Sequence, residues 1–310
     1  MSNLLKIYTA KRKISRILVG ITSAIAILTA TGYYYVFILG APQLDAPKVE
    51  TPTKLKFELE SFNSQAMDTR QYGVILPPDY QKNLHKRYPV IFLLHGGHDD
   101  ARAYVDKYGI LNVLDELYQS EKLPPCIIIT PDGNDLRGSS PFYDPDYYDG
   151  PNGKIGTLIG LELVTLVKSR YRTLEKPQFW ALGGLSSGGW GAFNIGLRYL
   201  NNFNILFSHS GYFTDDSGSQ NSPQQIVQKL SFNDRKRLRV YLDAGKSDRD
   251  LLASTKTFHE TLTKLGISHV FYAFPGGHGL SGADVGWNYF HKHLKDSLSY
   301  VGQQFKELKS

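Results

Sequence analysis

GGLSSGGWGA, residues 183–192, decides how the rest of this chain is read. It follows an apolar run at 179–182 and precedes a stretch with apolar residues at helical spacing, which is the order strand, sharp turn, helix. Within it Gly184, Ser186 and Gly188 spell G-x-S-x-G. A serine lifted out of a sheet on a strained turn needs neighbours without side chains, because a Cβ at either flank would collide with the adjacent strand or helix. The same ten residues also read as a glycine-rich turn with a helix-capping serine. The choice between the two depends on what the flanking chain supplies.

Working outward, two β-like runs come first, at 55–62 and 70–76, and Pro77 and Pro78 stop the second. Six further runs, at 89–94, 126–130, 179–182, 205–207, 239–242 and 270–274, are short, mostly apolar and β-rich, as strands covered on both faces are. Helical spacing recurs at 101–119, 157–171, 190–200, 251–265 and 283–294. Alternating strands and helices predict an α/β fold, a mostly parallel central sheet with helices on both faces and an antiparallel amino-terminal edge. Ligands of such sheets bind beyond the carboxyl ends of the strands.

Downstream of Ser186, the run RVYLDAG ends in KSDRD, and HVFYAFPGG ends in His278. The order serine, acid, histidine is that of the α/β-hydrolase triad. In that arrangement His278 takes the serine proton and returns it to the leaving group, while a carboxylate fixes the histidine tautomer. Asp248 is the expected acid. Asp243 lies close enough to the strand to point into the sheet, and Asp250 stands where a cap for the helix starting near Leu251 belongs. LLHGGHDD, at the end of the 89–94 strand, supplies His95, Gly96 and Gly97, where a glycine pair lets the backbone bring an N–H toward a developing oxyanion; the N–H of Ser187 is the second donor. His98, Trp190 and Tyr212 are assigned to the substrate pocket.

The other polar candidates have plainer readings. His95 and His98, three residues apart on a glycine turn with no clear third ligand, make a poor zinc site, and no metal or cofactor is expected. His209 and Ser210 in FSHSGYF imitate a catalytic pair but sit at another strand end, where they read as pocket lining. His85, His259, His269, His291 and His293 read as surface residues. Cys126 is the only cysteine, which rules out an internal disulfide, and in PPCIIIT it reads as a small buried strand residue.

With 310 residues, 41% hydrophobic and 21% charged, the chain can bury a full-sized core. Of its net +6, Lys6, Lys11, Arg12, Lys13 and Arg16 supply five charges, which leaves +1 for the remainder. A near-neutral body has no broad basic footprint, which argues against a nucleic-acid partner. Residues 17–39 are free of charge and span about 34 Å as a helix, enough to cross a bilayer. The organisation expected is a basic cytoplasmic tail at 1–16, a transmembrane signal anchor at 17–39, a proline-containing linker at 40–54, a catalytic body at 55–300 and a tail at 301–310. Basic residues on the amino side keep that end cytoplasmic and place the body outside. Cleavage as a signal peptide, releasing a secreted body, is the competing reading, although no A-x-A site closes the apolar stretch.

RQYGVILPPDY, KRYPVIFLLHGG, GGLSSGGWGAF, YLDAGKSDRDLL and FPGGHG followed by Trp287 together resemble the esterase family of α/β-hydrolases that includes esterase D, feruloyl and acetyl xylan esterases and the mycolyltransferases. The likeness runs from about residue 55 to 298. It implies Ser186 as nucleophile, Asp248 as acid, His278 as base, and the N–H groups of Gly97 and Ser187 as the oxyanion hole. Ser187 departs from the methionine common after the nucleophile in that family, at a position where the backbone does the work. The expected activity is hydrolysis of small-molecule or glycan-linked carboxylic esters. Acyl transfer to an envelope sugar or lipid, and a catalytically silent binding module, are the alternatives. SPFYDPDYYDGPNGKIG, with four aromatics before a helix, falls where pocket loops of the family lie and reads either as a stacking surface for a sugar or phenolic acyl group or as a packed surface loop.

Overall fold

The structure, a computed structural model, describes residues 2–35, 53–139, 144–215 and 217–307. The 40–54 linker therefore lies outside the described residues except for its last two, as do positions 36–39 of the expected anchor and Phe142 and Tyr143 of the aromatic loop. Contacts divide the chain into two compact units, Met1–Pro42 and Gln43–Ser310. In the first, α1 (Ser2–Tyr33) runs unbroken through the basic residues as well as the apolar ones, since alanine, leucine, lysine and arginine all favour helix. Its segment Lys11–Tyr33, 23 residues long, is apolar enough to cross a membrane.

The second unit opens with the antiparallel pair β1 (Phe57–Ser64) and β2 (Asp68–Ile75). β3 (Val90–Leu94) and β4 (Ile127–Pro131) follow, joined through the helices α2 (Ala103–Asp106) and α3 (Ile110–Gln119). A small hairpin of β5 (Asp149–Gly150) and β6 (Gly153–Lys154) leads into α4 (Ile155–Thr157), a π-helical segment Leu158–Leu163, and α5 (Val164–Arg170). Then come β7 (Trp180–Leu185), α6 (Ser187–Gly196) and β8 (Ile205–His209). The short helices α7 (Pro223–Ile226) and α8 (Phe232–Arg237) precede β9 (Arg239–Gly245), α9 (Arg249–Lys264), β10 (Ser268–Phe274) and α10 (Trp287–Glu307).

The main sheet has the order β1-β2-β4-β3-β7-β8-β9-β10. β2 meets β4 antiparallel, and every pairing from β4 through β10 is parallel. Val90 to Leu94 and Trp180 to Leu185 are buried along their whole length, the burial expected of central strands covered on both faces. Because the parallel strands point one way, the loops after β3, β7, β9 and β10 gather at one edge, where the four expected site segments lie.

Several expected elements differ in extent. The helix expected at 101–119 is broken at Gly109, which takes φ 61° and leaves the Tyr108 carbonyl to His291 Nδ1 at 3.0 Å. The expected tail 301–310 is, as far as residue 307, the end of α10, and Val301 and Phe305 are buried in the core. That helix also starts later than expected, at Trp287, because the preceding residues fold back onto the loop that carries His278. Gly277 N–H donates to the Asp284 carbonyl at 3.1 Å and Gly286 N–H to the Gly277 carbonyl at 2.7 Å.

Candidate active site

Ser186 stands between the last residue of β7 and the first of α6 with φ 54° and ψ −126°, a conformation that costs a non-glycine residue about 1–3 kcal/mol. Its neighbours hold it there. Its N–H donates to the His209 carbonyl at 2.9 Å, and its carbonyl accepts the N–H of Gly189 at 2.9 Å. The flanking glycines are required by close approach. A Cβ on Gly184 would lie 2.4 Å from the Gly188 carbonyl oxygen, and one on Gly188 would lie 2.3 Å from the Leu94 carbonyl oxygen. The stretch from β7 through α6 is otherwise buried, and Ser186 is its one partly exposed residue between Trp180 and Gly196.

Among the three aspartates near the end of β9, it is Asp248 that meets His278. Its Oδ1 accepts the His278 backbone N–H at 2.8 Å and its Oδ2 lies 2.8 Å from His278 Nδ1. The carboxylate is 7% exposed and the imidazole 40%. Burial pushes the Asp248 carboxyl up, but the hydrogen bond and charge of His278, its backbone N–H and the hydroxyl of Ser210 outweigh this and hold it below the ordinary range. Gly277, at φ 138°, makes the contact possible, since a Cβ there would fall 2.5 Å from the carboxylate. Asp243 is instead fully buried against His209 Nδ1, at 2.6 Å, and Tyr289 Oη, at 2.8 Å. Asp250 is exposed in the first turn of α9, where a carboxylate favours the helix dipole.

The turn after β3 lies against Ser186. A Cβ on Gly96 would sit 3.5 Å from the Ser186 Cβ. His95 is buried and locks this turn. Its Nε2 accepts the Gly133 N–H at 2.9 Å, which leaves Nδ1–H to donate to the Gly96 carbonyl at 2.8 Å. Tyr104 and Tyr147 hydroxyls donate to the Leu94 and His95 carbonyls at 3.0 and 2.8 Å. Gly97 is partly exposed, and the Asp144 carboxylate lies so close over it that a Cβ would meet Oδ1 at 2.4 Å. Burial raises the Asp144 carboxyl above its ordinary range, against the pull of the His98 and His278 charges. Asp144 thus lies over the Gly97 turn, a place that nothing in an acidic, aromatic loop singled out.

Several expected side chains have other places. Trp190 is not open to a ligand. It is 1% exposed, donates Nε1–H to the Asn221 carbonyl at 2.9 Å and is stacked under Tyr212 at 5.5 Å. Tyr212 is partly exposed over it and His98 is exposed at φ 63°. His209 and Ser210, expected as pocket lining, are both fully buried behind the turn that carries Ser186. His293, expected at the surface, is buried under Phe274, with ring centroids 3.8 Å apart. Tyr147 of the aromatic loop is core, while Tyr148 is half-buried against the edge of Trp190.

Residues 64–300 match the model of the family described as Putative esterase. The chain belongs to that esterase family. An esterase of Mycobacterium tuberculosis (strain H37Rv) is 26% identical over 253 residues, which is 66% of this chain and 52% of that protein. The chain therefore spans about half the length of this curated relative. An acetyl esterase of Caldicellulosiruptor saccharolyticus is 23% identical over 195 residues, covering 54% of this chain and 70% of that protein. Among solved structures, a ferulic acid esterase matches with a TM-score of 0.72 and 26% identity, over 81% of this chain and 99% of that one. An S-formylglutathione hydrolase from Agrobacterium tumefaciens matches at 0.64 and 14% identity over 85% and 99%, a likeness of fold. The esterase-family body has the α/β-hydrolase fold, with the mostly parallel sheet and antiparallel leading edge described above.

Proposed function

We propose that this member of the esterase family is a membrane-anchored serine esterase that hydrolyses carboxylic esters through an acyl-enzyme on Ser186, with Asp248 and His278 completing the triad. The observation that carries the reading is the hold on His278, whose backbone N–H and Nδ1 each lie 2.8 Å from an oxygen of Asp248. An ionised carboxylate at Nδ1 keeps the proton there and leaves Nε2 as the base. Nε2 takes the Ser186 proton as Oγ attacks the ester carbonyl. The N–H groups of Gly97 and Ser187 receive the charge that develops on its oxygen. Collapse expels the alcohol, which takes the proton from the imidazolium, and water activated by His278 then releases the acid.

The substrate class is carboxylic esters with acyl groups between acetyl and phenolic, a range that supports itself on relatives named acetyl esterase and ferulic acid esterase. For the setting, α1 carries an apolar span after a basic amino end, which supports an anchor with the body outside the cytoplasm.

Detergent-solubilised protein is expected to cleave p-nitrophenyl acetate or methyl ferulate and to react with a fluorophosphonate at Ser186. Ser186→Ala should lose both. A wild-type protein that neither turns over any ester in such a panel nor labels at Ser186 sinks the proposal. If added glycan or lipid acceptors divert the acyl group away from free acid, the enzyme is an acyltransferase. Protease added to intact cells should digest the body, and a protected body would refute the topology.

A further inference from the structure

Behind the nucleophile turn lies a polar chain that the reaction above leaves unused. The end of β8 starts it. His209 gives its carbonyl to Ser186 N–H at 2.9 Å and its ring to Asp243, at 2.6 Å, and to Ser297 Oγ, at 2.9 Å. Asp243 also accepts the Tyr289 hydroxyl at 2.8 Å. Serine, histidine and aspartate meet here as well, but His209, Asp243 and Ser297 are all fully buried. No ester can reach them, so this second set is a support.

Ser210 is the residue through which that support reaches the surface. It is fully buried and adopts φ 44°, in the left-handed region that favours glycine. Its N–H donates to the Asp243 carbonyl at 2.8 Å, and its Oγ accepts the Gly245 N–H at 3.0 Å. Gly245 in turn accepts the Asp248 N–H at 3.1 Å. It also packs so tightly on the His278 loop that a Cβ would lie 2.3 Å from the Gly276 carbonyl oxygen. Ser210 Oγ thus reaches the acid through one backbone link, Gly245, and its hydroxyl is among the groups that hold the Asp248 carboxyl below its ordinary range.

We propose that Ser210 is a positioning residue for Asp248, tying the turn that carries the acid to the strand end that holds Ser186. It touches neither substrate nor reacting atoms. Its hydroxyl holds Gly245, and through it the turn that keeps the Asp248 carboxylate against His278, while the His209–Asp243–Tyr289 chain keeps Ser210 from moving. This rests on the esterase reading above.

Ser210→Gly in the full chain tests it, because glycine removes the hydroxyl and relieves the backbone at once. We expect kcat down about tenfold and KM within about twofold, with a fall in Tm no larger than one unpaired buried N–H accounts for, since relief of the backbone at φ 44° offsets part of it. The acid limb of the kcat/KM profile should move to higher pH, since a carboxylate with one donor fewer holds the proton of the Asp248–His278 pair more strongly. Ser210→Ala should show the same kinetic change. A glycine variant with wild-type kcat and pH profile overturns the proposal. So does a loss of activity that merely follows a loss of Tm in both variants. Wild-type protein without turnover or fluorophosphonate labelling at Ser186 overturns the esterase reading itself, whereas an active, labelled wild type with an unaltered Ser210→Gly overturns this inference alone.

Discussion

Three aspartates within eight residues end a strand and its loop, and a side chain's surroundings decide which one can work. Asp248→Asn keeps the shape but presents an amide to Nδ1, so kcat should fall by about 10³–10⁴ while Asp250→Asn stays within about twofold. Steady-state kinetics on one ester separates them. The same carboxylate links stability to pH. Its folded value is held below the ordinary one, so its contribution is fully present above the unfolded pKa of about 3.9 and is lost as pH falls through the folded value. Urea denaturation should therefore show wild type above Asp248→Asn at pH 7, with the gap closing below about pH 4. Cys126 behaves oppositely. Full burial pushes its thiol up to about 12, so a thiol reagent at pH 8 should leave the native protein unlabelled and modify it only after unfolding.

At the scale of elements, the turn from β7 into α6 depends on absent side chains. Gly188→Ala would drive a Cβ to 2.3 Å from the Leu94 carbonyl oxygen and 2.4 Å from that of His95. Backbone atoms cannot yield as a flexible side chain can, so the helix must move away from the β3 turn. A loss of about 1–3 kcal/mol is expected in chemical denaturation, together with a loss of turnover beyond what unfolding explains. This requirement was readable in the spacing G-x-S-x-G, because it is local. The break between α2 and α3 was not. The apolar spacing of 101–119 continues across Gly109, and the partner that takes the Tyr108 carbonyl is His291, on a helix far along the chain. Likewise the end of α10 looked polar enough for a tail, although Val301 and Phe305 face the core.

For the whole molecule, the division at Pro42 and Gln43 separates a helix of membrane-spanning length from a body with its own core. Removing residues 1–42 should move the protein from the membrane to the soluble fraction and leave the Tm of the body within about 2 °C, as read by fractionation and calorimetry. The sheet, its parallel sense and the serine on its turn were legible in the amino-acid sequence, since apolar periodicity and glycine spacing are constraints between near neighbours. So was the order of serine, acid and histidine. That Trp190 lies beneath Tyr212 rather than open to a ligand, and that His209 and Ser210 stand behind the turn that carries Ser186, were decided by the tertiary structure alone, which also set Asp248, the acid expected from the sequence, rather than Asp243 or Asp250 against His278. Each depends on strand ends brought together across the sheet, and a side chain's depth there is set by helices packed from distant parts of the chain, which no local pattern records.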